Sequence, residues 1–522
     1  MTVIIVGGGI IGLSTAYYLS QALPDRQQQR IVVVDTSRRL FTCASGRAAG
    51  FLSRSWFSKP SASLGELSFV LHAELAEIYG GAEKWGYRPS QAFSVAPRQE
   101  PEALTSKEYY ALKAERLKKQ WKFRMETIDA AGLRYTKGTT NRTNRQHWLH
   151  EELTEEQEVF AAEPDPPDWL FCDNGNTFQI SGEGECAQIN PYEFCEFLLD
   201  QCVKNGVEIL HPHQLHSTVI DQQTGKLLSA VIRNLHTQID TVVENVSNIV
   251  IAAGAWSPHA FSSAFPNAQF VPAITSLAGF SMVVSSPLSP FFGKTQTTDE
   301  LNSRTSSSAI AEDGVNTDIS DVSSLTSRST VSGVQIECHS DSIDFSPIRQ
   351  ALFVRSSIYS RWSPEIFSRS NGEIYIAGLN EQGYHTLRVA RGSMAPLHMV
   401  GPADDYQSES ATEDSSDNES DNAAKRPGVD KFKTLDEVAR SLLGPEITVI
   451  KRSVCLRPIT PRGEPIIGEV PSELVGGARG VYICSGHGPW GISLCLGSGK
   501  VISEMITEGY ARSADVSRLA PI

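Results

Sequence analysis

Short runs of apolar residues divide the chain and predict buried strands. Residues 2–6 (TVIIV) and 30–35 (RIVVVD) are apolar on both faces, as parallel strands usually are. A helix is predicted between them, over residues 11–23, and glycines stand where the first strand ends. Strand, glycine turn, helix and strand make one βαβ unit of about 35 residues, which predicts a Rossmann-like domain.

The same apolar pattern returns later in the chain. Residues 248–258 (NIVIAAGAWSP) predict a buried strand that ends in a turn of small residues. Residues 190–206 predict a helix with proline in its first turn and glycine as its stop, and a strand follows at 207–210. Residues 480–506 predict a strand, a glycine-rich turn and a helix. We therefore expect a parallel sheet built from distant parts of the sequence.

Other segments have a different pattern. Residues 351–379 alternate like antiparallel strands joined by a turn at 370–372, whereas residues 100–160 are charged and helical in pattern. Residues 295–345 and 401–434 are polar, and they bury too little apolar surface to offset their chain entropy, so we expect disordered loops there. The predicted fold class is α/β, with a discontinuous Rossmann-like domain and a second, mixed α/β domain that contains an antiparallel sheet.

Composition narrows the class of protein. The 522 residues suit two or three domains, and the formal net charge is −14. Eight carboxylates lie between residues 404 and 421, and no basic patch suggests nucleic-acid binding. The nine cysteines are scattered without zinc-type spacing, so we expect reduced thiols and no metal.

The first apolar run could instead be a signal peptide. It lacks a basic flank and a small-residue cleavage site, and no other run is long enough to span a bilayer. We therefore expect a cytoplasmic protein without a transmembrane segment, and a peripheral association with an organelle stays open.

The glycine turn carries the first candidate chemistry. Gly7, Gly9 and Gly12 form G-x-G-x-x-G: the first permits the turn, the second lets a pyrophosphate approach, and the third lets helix and sheet pack closely. The helix N-terminus favours phosphate. Asp35, at the end of the second strand, can accept both hydroxyls of a ribose and would repel a 2′-phosphate. The motif predicts a dinucleotide other than NADP.

Four blocks of sequence resemble one known family. They are residues 4–20 (IIVGGGIIGLSTAYYLS), 44–56 (ASGRAAGFLSRSW), 248–258, and 456 onward (LRPITPRGEPIIGEVP…SGHGPWGI). Together they resemble the glycine/D-amino-acid oxidase (DAO) family of FAD-dependent oxidoreductases, in a branch found in fungi and plants. The resemblance implies FAD as the cofactor. It also implies two domains. The FAD-binding domain would consist of residues 1–95, 181–270 and 446–522, and a substrate or cap domain would consist of residues 96–180 and 271–400.

The resemblance also implies which residues bind FAD. The expected set is Gly7, Gly9, Ile10, Ile11, Gly12, Asp35, Thr36, Ser45, Gly46, Arg47, Ala48, Leu215, Ala253, Gly254, Trp256, Gly486, His487, Gly488, Trp490, Gly491 and Ile492. Within this set, residues 45–48 would cover the pyrophosphate and ribityl chain, and the backbone of Leu215 would bind adenine. Residues 486–492 would surround the isoalloxazine, with the helix that starts near Gly491 directed at its N1/O2 edge.

The family's chemistry suggests a function. Its members pass a hydride from the CH–NH group of an amino acid or amine to flavin N5, and Arg457 matches the arginine that usually binds the substrate carboxylate. A structural arginine at a strand end is the alternative. Tyr359, Arg361 and Trp362 are weaker candidates for the substrate wall, because aromatic residues there are as often part of a core.

Three further residues carry open questions. Cys455 matches a cysteine that holds flavin covalently in the sarcosine-oxidase branch, although a buried, inert thiol is the favoured interpretation. Ala278 matches the position of a Lys or Arg over the flavin, so the electron acceptor, dioxygen or another, is undecided. His487 is either a general base or part of a turn, and we favour the turn.

Two other functions compete with an amine or amino-acid oxidoreductase. One is a flavin-binding protein with little turnover and a regulatory or trafficking role, with protein partners bound through the acidic and Ser-rich loops. The other is an NAD-dependent dehydrogenase, which leaves the C-terminal glycine turn unexplained. The sequence names neither the substrate nor the oligomeric state.

Overall fold

The structure is a computed structural model, and it describes residues 1–23, 29–97, 175–286, 349–354, 363–369, 372–382 and 429–521. All of them belong to one unit formed by residues 1–289 and 348–522. The strands are β1 (Thr2–Val6), β2 (Arg30–Val34), β3 (Phe51–Ser53), β4 (Arg88–Pro97), β5 (Gly175–Gln188), β6 (Glu208–Leu210), β7 (His213–Ile220), β8 (Leu227–Asn234), β9 (Asp240–Glu244), β10 (Val246–Ile251), β11 (Thr275–Ser285), β12 (Arg349–Val354), β13 (Glu365–Ser368), β14 (Glu373–Gln382), β15 (Thr448–Ile459), β16 (Ile466–Glu469) and β17 (Val481–Ser485). The helices are α1 (Ile10–Ala22), α2 (Ala62–Tyr79), α3 (Gly81–Lys84), α4 (Pro191–Lys204), α5 (Ser257–Ala264), α6 (Val429–Leu443) and α7 (Gly491–Glu508).

The first sheet has six strands in the order β16-β17-β10-β1-β2-β6. Its strands are parallel apart from β16, which pairs antiparallel with β17. Ile5 lies opposite Val33 on one side and Val250 on the other. All five residues of β1 are buried, because helices and other apolar elements cover both faces of the sheet. The expectation that distant parts of the sequence build one parallel sheet is confirmed.

The first and last helices cross closely. A β-carbon at Gly499 in α7 would lie 2.4 Å from the backbone carbonyl carbon of Ser14 in α1. One at Gly497 would lie 2.9 Å from the carbonyl oxygen of Leu64 in α2. Glycine is required where two backbones approach this closely. The two ends of the chain therefore pack together on one face of the parallel sheet.

The second sheet has eight strands in the order β15-β11-β14-β13-β12-β4-β5-β3. It is antiparallel except for the pair of β12 and β4. One face packs against α6 in a cluster that includes Phe280, Ile376 and Leu435. The other face, which we call the aromatic face, carries Phe353 and Phe367 among other buried rings. A separate antiparallel sheet is formed by β7, β8 and β9.

The α/β fold class, with one mainly parallel and one mainly antiparallel sheet, is confirmed. The hairpin predicted within residues 351–379 is present as β13 and β14, with Gly372 at a φ of 84°. The predicted domain boundaries stay a prediction, and we note that β3 and β15 join the antiparallel sheet from ranges assigned to the FAD-binding domain. Residues 100–160 and 295–345 lie outside the described residues.

One loop prediction is wrong at its end. Helix α6 begins at Val429, inside the range 401–434 that the sequence predicted as a disordered loop. Its apolar positions Phe432, Leu435, Val438 and Leu442 recur at helical spacing and pack on the eight-stranded sheet. The acidic composition just before them concealed this amphipathic pattern. The rest of the loop lies outside the described residues.

Membrane-spanning helices and metal-binding clusters are both absent from the described residues. None of the helices in these parts of the chain has the length and apolar character needed to span a membrane. No group of three or more His, Cys, Asp or Glu side chains in the same parts is arranged to hold a metal ion.

Candidate cofactor and substrate site

The N-terminal glycine turn is sterically determined. Gly7 has a φ of 116°, and a β-carbon there would lie 2.4 Å from the carbonyl oxygen of Ala252, after the neighbouring strand β10. A β-carbon at Gly12 would lie 1.9 Å from the carbonyl oxygen of Gly7. Both clashes are with backbone atoms, which cannot move aside. The turn therefore brings α1 directly onto the ends of β1 and β10.

Asp35 follows β2 and is half-buried beside this turn. Its Oδ2 accepts the backbone N–H of Gly8 at 2.7 Å, and its Oδ1 accepts that of Ser37 at 2.8 Å. These bonds orient the carboxylate, and each oxygen keeps acceptor capacity for a sugar hydroxyl. The backbone N–H of His213 donates to the carbonyl oxygen of Asp35 at 2.7 Å. Leu215, two residues further along β7 at the edge of its sheet, thus lies near the same end of the site, with its side chain buried.

The N-terminus of α1 suits an anion. Gly9 caps it without a side chain, and the first turn holds no acidic residue. The hydroxyl of Ser45 accepts the backbone N–H of Ile10 at 3.0 Å, so the segment of residues 45–48 reaches the helix end. Partial positive charge at the helix end and the absence of a β-carbon at Gly9 fit a pyrophosphate.

A second turn follows β10. Gly254 has a φ of 57°, and a β-carbon there would meet no atom within 4 Å. Its carbonyl oxygen accepts the hydroxyl of Ser485, at the end of β17, at 3.1 Å. This open space beside the ends of parallel strands can accommodate a ligand. Trp256 lies next to it and packs against the core on the α6 side of the eight-stranded sheet.

The third turn joins β17 to α7. Gly486 and Gly488 have φ angles of 86° and 56°. His487 between them is 3% exposed, and its Nε2 lies 3.0 Å from the hydroxyl of Ser498. Burial lowers the pKa of His487 to about 3, so the imidazole is neutral. These observations favour a structural histidine over a general base.

Helix α7 offers its N-terminus at the same place. Its first turn has no acidic residue and no side-chain cap. Trp490 precedes it and packs edge-on against Phe57, with ring centroids 5.2 Å apart, and against Trp56 at 6.4 Å. This aromatic group covers one side of the third glycine turn.

Strand β15 lies against the third turn and carries Arg457. A β-carbon at Gly486 would lie 2.5 Å from the Cγ2 of Thr460, the residue that follows β15. The Nη1 of Arg457 donates to the Oδ1 of Asn380 at 2.9 Å. The guanidinium also lies across Gly279, whose missing side chain makes room for it. A planar cation is thus held beside the glycine turns.

Glu365 is a carboxylate of β13 in this part of the sheet. It stands two residues from Phe367 on β13 and therefore lies on the aromatic face. Burial raises the pKa of the Glu365 carboxyl, and the positive charge of Arg457 opposes the rise. The site therefore contains a cation and an acid whose charges interact.

Ala278 and Arg457 lie on neighbouring strands of the eight-stranded sheet. Ala278 is fully buried in the core that faces α6, opposite Leu456 of β15. Its side chain therefore lies on the face of the sheet opposite to Arg457. The neighbour that faces Arg457 is Gly279, because successive side chains of a strand alternate between faces. The interpretation that Ala278 occupies the position of a Lys or Arg over the flavin stays a prediction.

Cys455 lies on the same face as Arg457. It is the cross-strand partner of Gly279 in β11 and is 6% exposed. Tyr375 lies nearby, and burial raises the pKa of its hydroxyl to about 12. Tyr359, Arg361 and Trp362, the weaker candidates for the substrate wall, lie outside the described residues.

Sequence reasoning missed several residues of the site. Gly279 and Tyr375 became visible only when strand pairing was known. Glu464 is a buried carboxylate that accepts the hydroxyls of Ser58 and Ser61, and it thereby ties the segment after β15 to the start of α2. Its position two residues before the strand β16 gave no sign of these partners, which lie about 400 residues away.

Three glycine turns at the ends of parallel strands, next to a sheet that carries a half-buried arginine, define a dinucleotide-binding α/β protein. The family model described as FAD dependent oxidoreductase (DAO) matches residues 2–307 and 354–505. The chain belongs to this family, and its cofactor is FAD.

Known relatives and structures agree with this assignment. A protein of Schizosaccharomyces pombe named as a candidate oxidoreductase is 22% identical over 544 residues, which cover 99% of this chain and 97% of that protein. A second relative, TDA3 of Saccharomyces cerevisiae, is 24% identical, and the alignment covers 99% of this chain and 94% of that protein.

Among solved structures, glycine oxidase from Geobacillus kaustophilus superposes with a TM-score of 0.55 at 15% identity, covering 99% of this chain and 97% of that one. Iminodiacetate oxidase from Chelativorans sp. BNC1 gives a TM-score of 0.54 at 13% identity, and the superposition covers 99% of this chain and 98% of that one. At these identities the superpositions establish the shared fold.

Proposed function

We propose that this protein oxidises the CH–NH bond of an amino acid or a secondary amine, with FAD as the hydride acceptor. The observation that carries the proposal is the position of Arg457, on strand β15 of the eight-stranded sheet, which lies against the third glycine turn. The names of the superposed glycine and iminodiacetate oxidases support the same substrate class.

Different parts of the chain would bind different parts of FAD. The glycine turns and Asp35 would hold the nucleotide part of FAD, and the N-termini of α1 and α7 would face its negatively charged groups. When bound, FAD supplies a two-electron oxidant at its ring system. Residues 45–48 and Trp490 would cover it and exclude water.

Arg457 would bind the carboxylate of the substrate. Its planar guanidinium suits a bidentate contact, and its bond to Asn380 together with its fit over Gly279 fixes its orientation before substrate arrives. Neutral His487 would take no part in proton transfer, since its ring is buried against Ser498. The protein's contribution is therefore orientation of the CH–NH bond rather than acid–base chemistry by that histidine.

The experiment is an anaerobic absorption measurement on the purified holoprotein with amino acids and secondary amines, with and without a carboxylate. We expect at least one carboxylate-bearing amine to bleach the flavin band. Arg457→Met should keep bound FAD and lose roughly 10- to 100-fold in the rate of bleaching by carboxylated substrates, the equivalent of one charge-assisted contact.

Two controls make the result specific. Arg233→Met removes a partly exposed arginine that pairs with Asp240 on the three-stranded sheet, and it should leave bleaching unchanged. An amine without a carboxylate should react equally with wild type and Arg457→Met. If no compound bleaches the flavin, the alternative of a flavin-binding protein with little turnover is favoured instead.

A further inference from the structure

The segment of residues 45–48 forms hydrogen bonds with the start of α1 and with the eight-stranded sheet. On the side of the parallel sheet, the hydroxyl of Ser45 accepts the backbone N–H of Ile10 at the start of α1. On the other side, the eight-stranded sheet contacts the same short segment. Because this segment lies between the two sheets, its conformation depends on both.

Three hydrogen bonds connect the segment to the eight-stranded sheet. The Nη1 of Arg47 donates to the carbonyl oxygen of Val454 in β15 at 2.9 Å. The hydroxyl of Tyr375 donates to the carbonyl oxygen of Arg47 at 3.1 Å. The Nη2 of Arg369 donates to the carbonyl oxygen of Ala48 at 3.4 Å. Two consecutive backbone carbonyls are therefore held by side chains of one hairpin, β13–β14.

Arg369 is itself held in place. Its guanidinium lies 5.1 Å above the ring of Tyr375 and forms an ion pair with Glu373 at 3.7 Å. Burial lowers the pKa of Arg369, while Tyr375, Glu373 and Glu193 favour its charged form. Its Nε is buried and has no hydrogen-bond partner among the described residues. A largely buried arginine that is only partly paired is costly, and the hydrogen bond to the carbonyl oxygen of Ala48 is one of the few contacts that its guanidinium makes among the described residues.

Tyr375 is suited to a constant donor role. With its pKa raised to about 12, its hydroxyl keeps its proton throughout the physiological range. Its ring also supports Arg369, so the two side chains form one unit. We name Arg369 and Tyr375 the hairpin clamp.

We propose that the hairpin clamp positions residues 45–48 for FAD, so that the eight-stranded sheet determines how tightly the cofactor is held. Arg369 and Tyr375 are positioning residues, because they act through the backbone of Arg47 and Ala48. The inference rests on the proposed role of residues 45–48 in covering FAD.

The first measurement is the FAD dissociation constant of apoprotein, by quenching of flavin fluorescence. Tyr375→Phe removes only the hydroxyl and keeps the ring under Arg369. We expect it to raise Kd roughly 3- to 10-fold, as the loss of one hydrogen bond predicts. Arg369→Met should raise Kd further, and Arg369→Lys, which keeps a cationic donor, should recover part of the loss. The visible circular dichroism of bound flavin should change in the same order.

Matched controls come from the surface. Tyr510→Phe and Arg233→Met make the same chemical changes at an exposed tyrosine and a partly exposed arginine, and should leave Kd unchanged. Urea unfolding of each variant separates a local effect from a global one. Should Arg369→Met fail to fold, Tyr375→Phe still decides the outcome.

The second measurement uses apoprotein alone. Trypsin cleaves after Arg47, and mass spectrometry can quantify cleavage at that bond relative to other sites. We expect the clamp variants to be cleaved faster at Arg47 and equally fast elsewhere. The inference is overturned if the wild type binds FAD while both clamp variants keep the wild-type Kd and the wild-type rate of cleavage at Arg47. That outcome would leave the proposed function intact. If wild type binds no FAD, the proposed function fails, and the cleavage result alone decides about the clamp.

Discussion

The guanidinium of Arg457 rests on Gly279 of the neighbouring strand. A β-carbon at Gly279 would lie 2.8 Å from both the Cζ and the Nη2 of Arg457. The two residues are therefore a matched pair: the orientation of the arginine requires the absence of a side chain opposite it. No sequence pattern near Gly279 predicts that it contacts Arg457.

The first prediction tests the pair. Gly279→Ala should displace the guanidinium, because the end of a flexible side chain moves more easily than the sheet. We expect nearly unchanged urea unfolding, retained FAD, and roughly a 10-fold higher KM for carboxylated substrates. Gly182→Ala, in β5, is the control, since its β-carbon would meet nothing closer than 3.6 Å. Equal KM values in wild type and Gly279→Ala would show that Arg457 does not bind the substrate.

The second prediction concerns the N-terminal turn. Gly12→Ala places a β-carbon 1.9 Å from the carbonyl oxygen of Gly7, and neither backbone can move without separating α1 from the sheet. We expect a loss of about 3 kcal/mol or more in the free energy of unfolding, together with loss of FAD binding. Gly509→Ala also changes a glycine, with φ +87° and nothing within 4 Å, and should cost about 1 kcal/mol. Urea denaturation compares them, and similar losses would contradict the steric argument.

The third prediction addresses Cys455. This thiol is 6% exposed, and buried structural thiols are inert, so we expect the flavin to be bound without a covalent link. Acid precipitation of the holoprotein should give a colourless pellet and a yellow supernatant. A pellet that stays yellow in wild type, and becomes colourless in Cys455→Ala, would establish the covalent bond instead.

The fourth prediction is a pH dependence of stability. Burial lowers the pKa of His72 from 6.5 to about 4 and that of His487 to about 3. Below pH 6.5 the unfolded chain therefore binds protons that the folded chain does not. The stabilising contribution is fully present above pH 6.5 and falls by about 1.4 kcal/mol per pH unit for each histidine as the pH drops towards the folded-state pKa.

Urea unfolding of apoprotein at pH 7.5, 6.5 and 5.5 measures this slope. His72→Asn should reduce it by about 1.4 kcal/mol per pH unit, corresponding to one histidine. His236→Asn, at an exposed histidine, should leave the slope unchanged. A slope that is the same in all three proteins would mean that His72 is not buried in its neutral form.

Local sequence determined the nucleotide-binding half of this protein. The strand, the glycines at 7, 9 and 12, the helix and Asp35 are neighbours along the chain, so their types and spacing define their geometry directly. The same holds for the helix from Pro191 and for the strand and helix around Gly486. The family and its cofactor could be identified from these blocks, because each is a short unit whose conformation its own residues specify.

Tertiary structure alone decided which side chains meet around Arg457. A shift of one residue moves a strand's side chains to the opposite face, so only the pairing of β11 with β15 showed that Gly279, and not Ala278, lies against Arg457. The contact between Arg47 and Val454 joins residues 407 positions apart, and no local pattern encodes such a bond. Sheet register and the packing of distant segments, which depend on the whole folded chain, therefore determined the part of the site that the sequence left undecided.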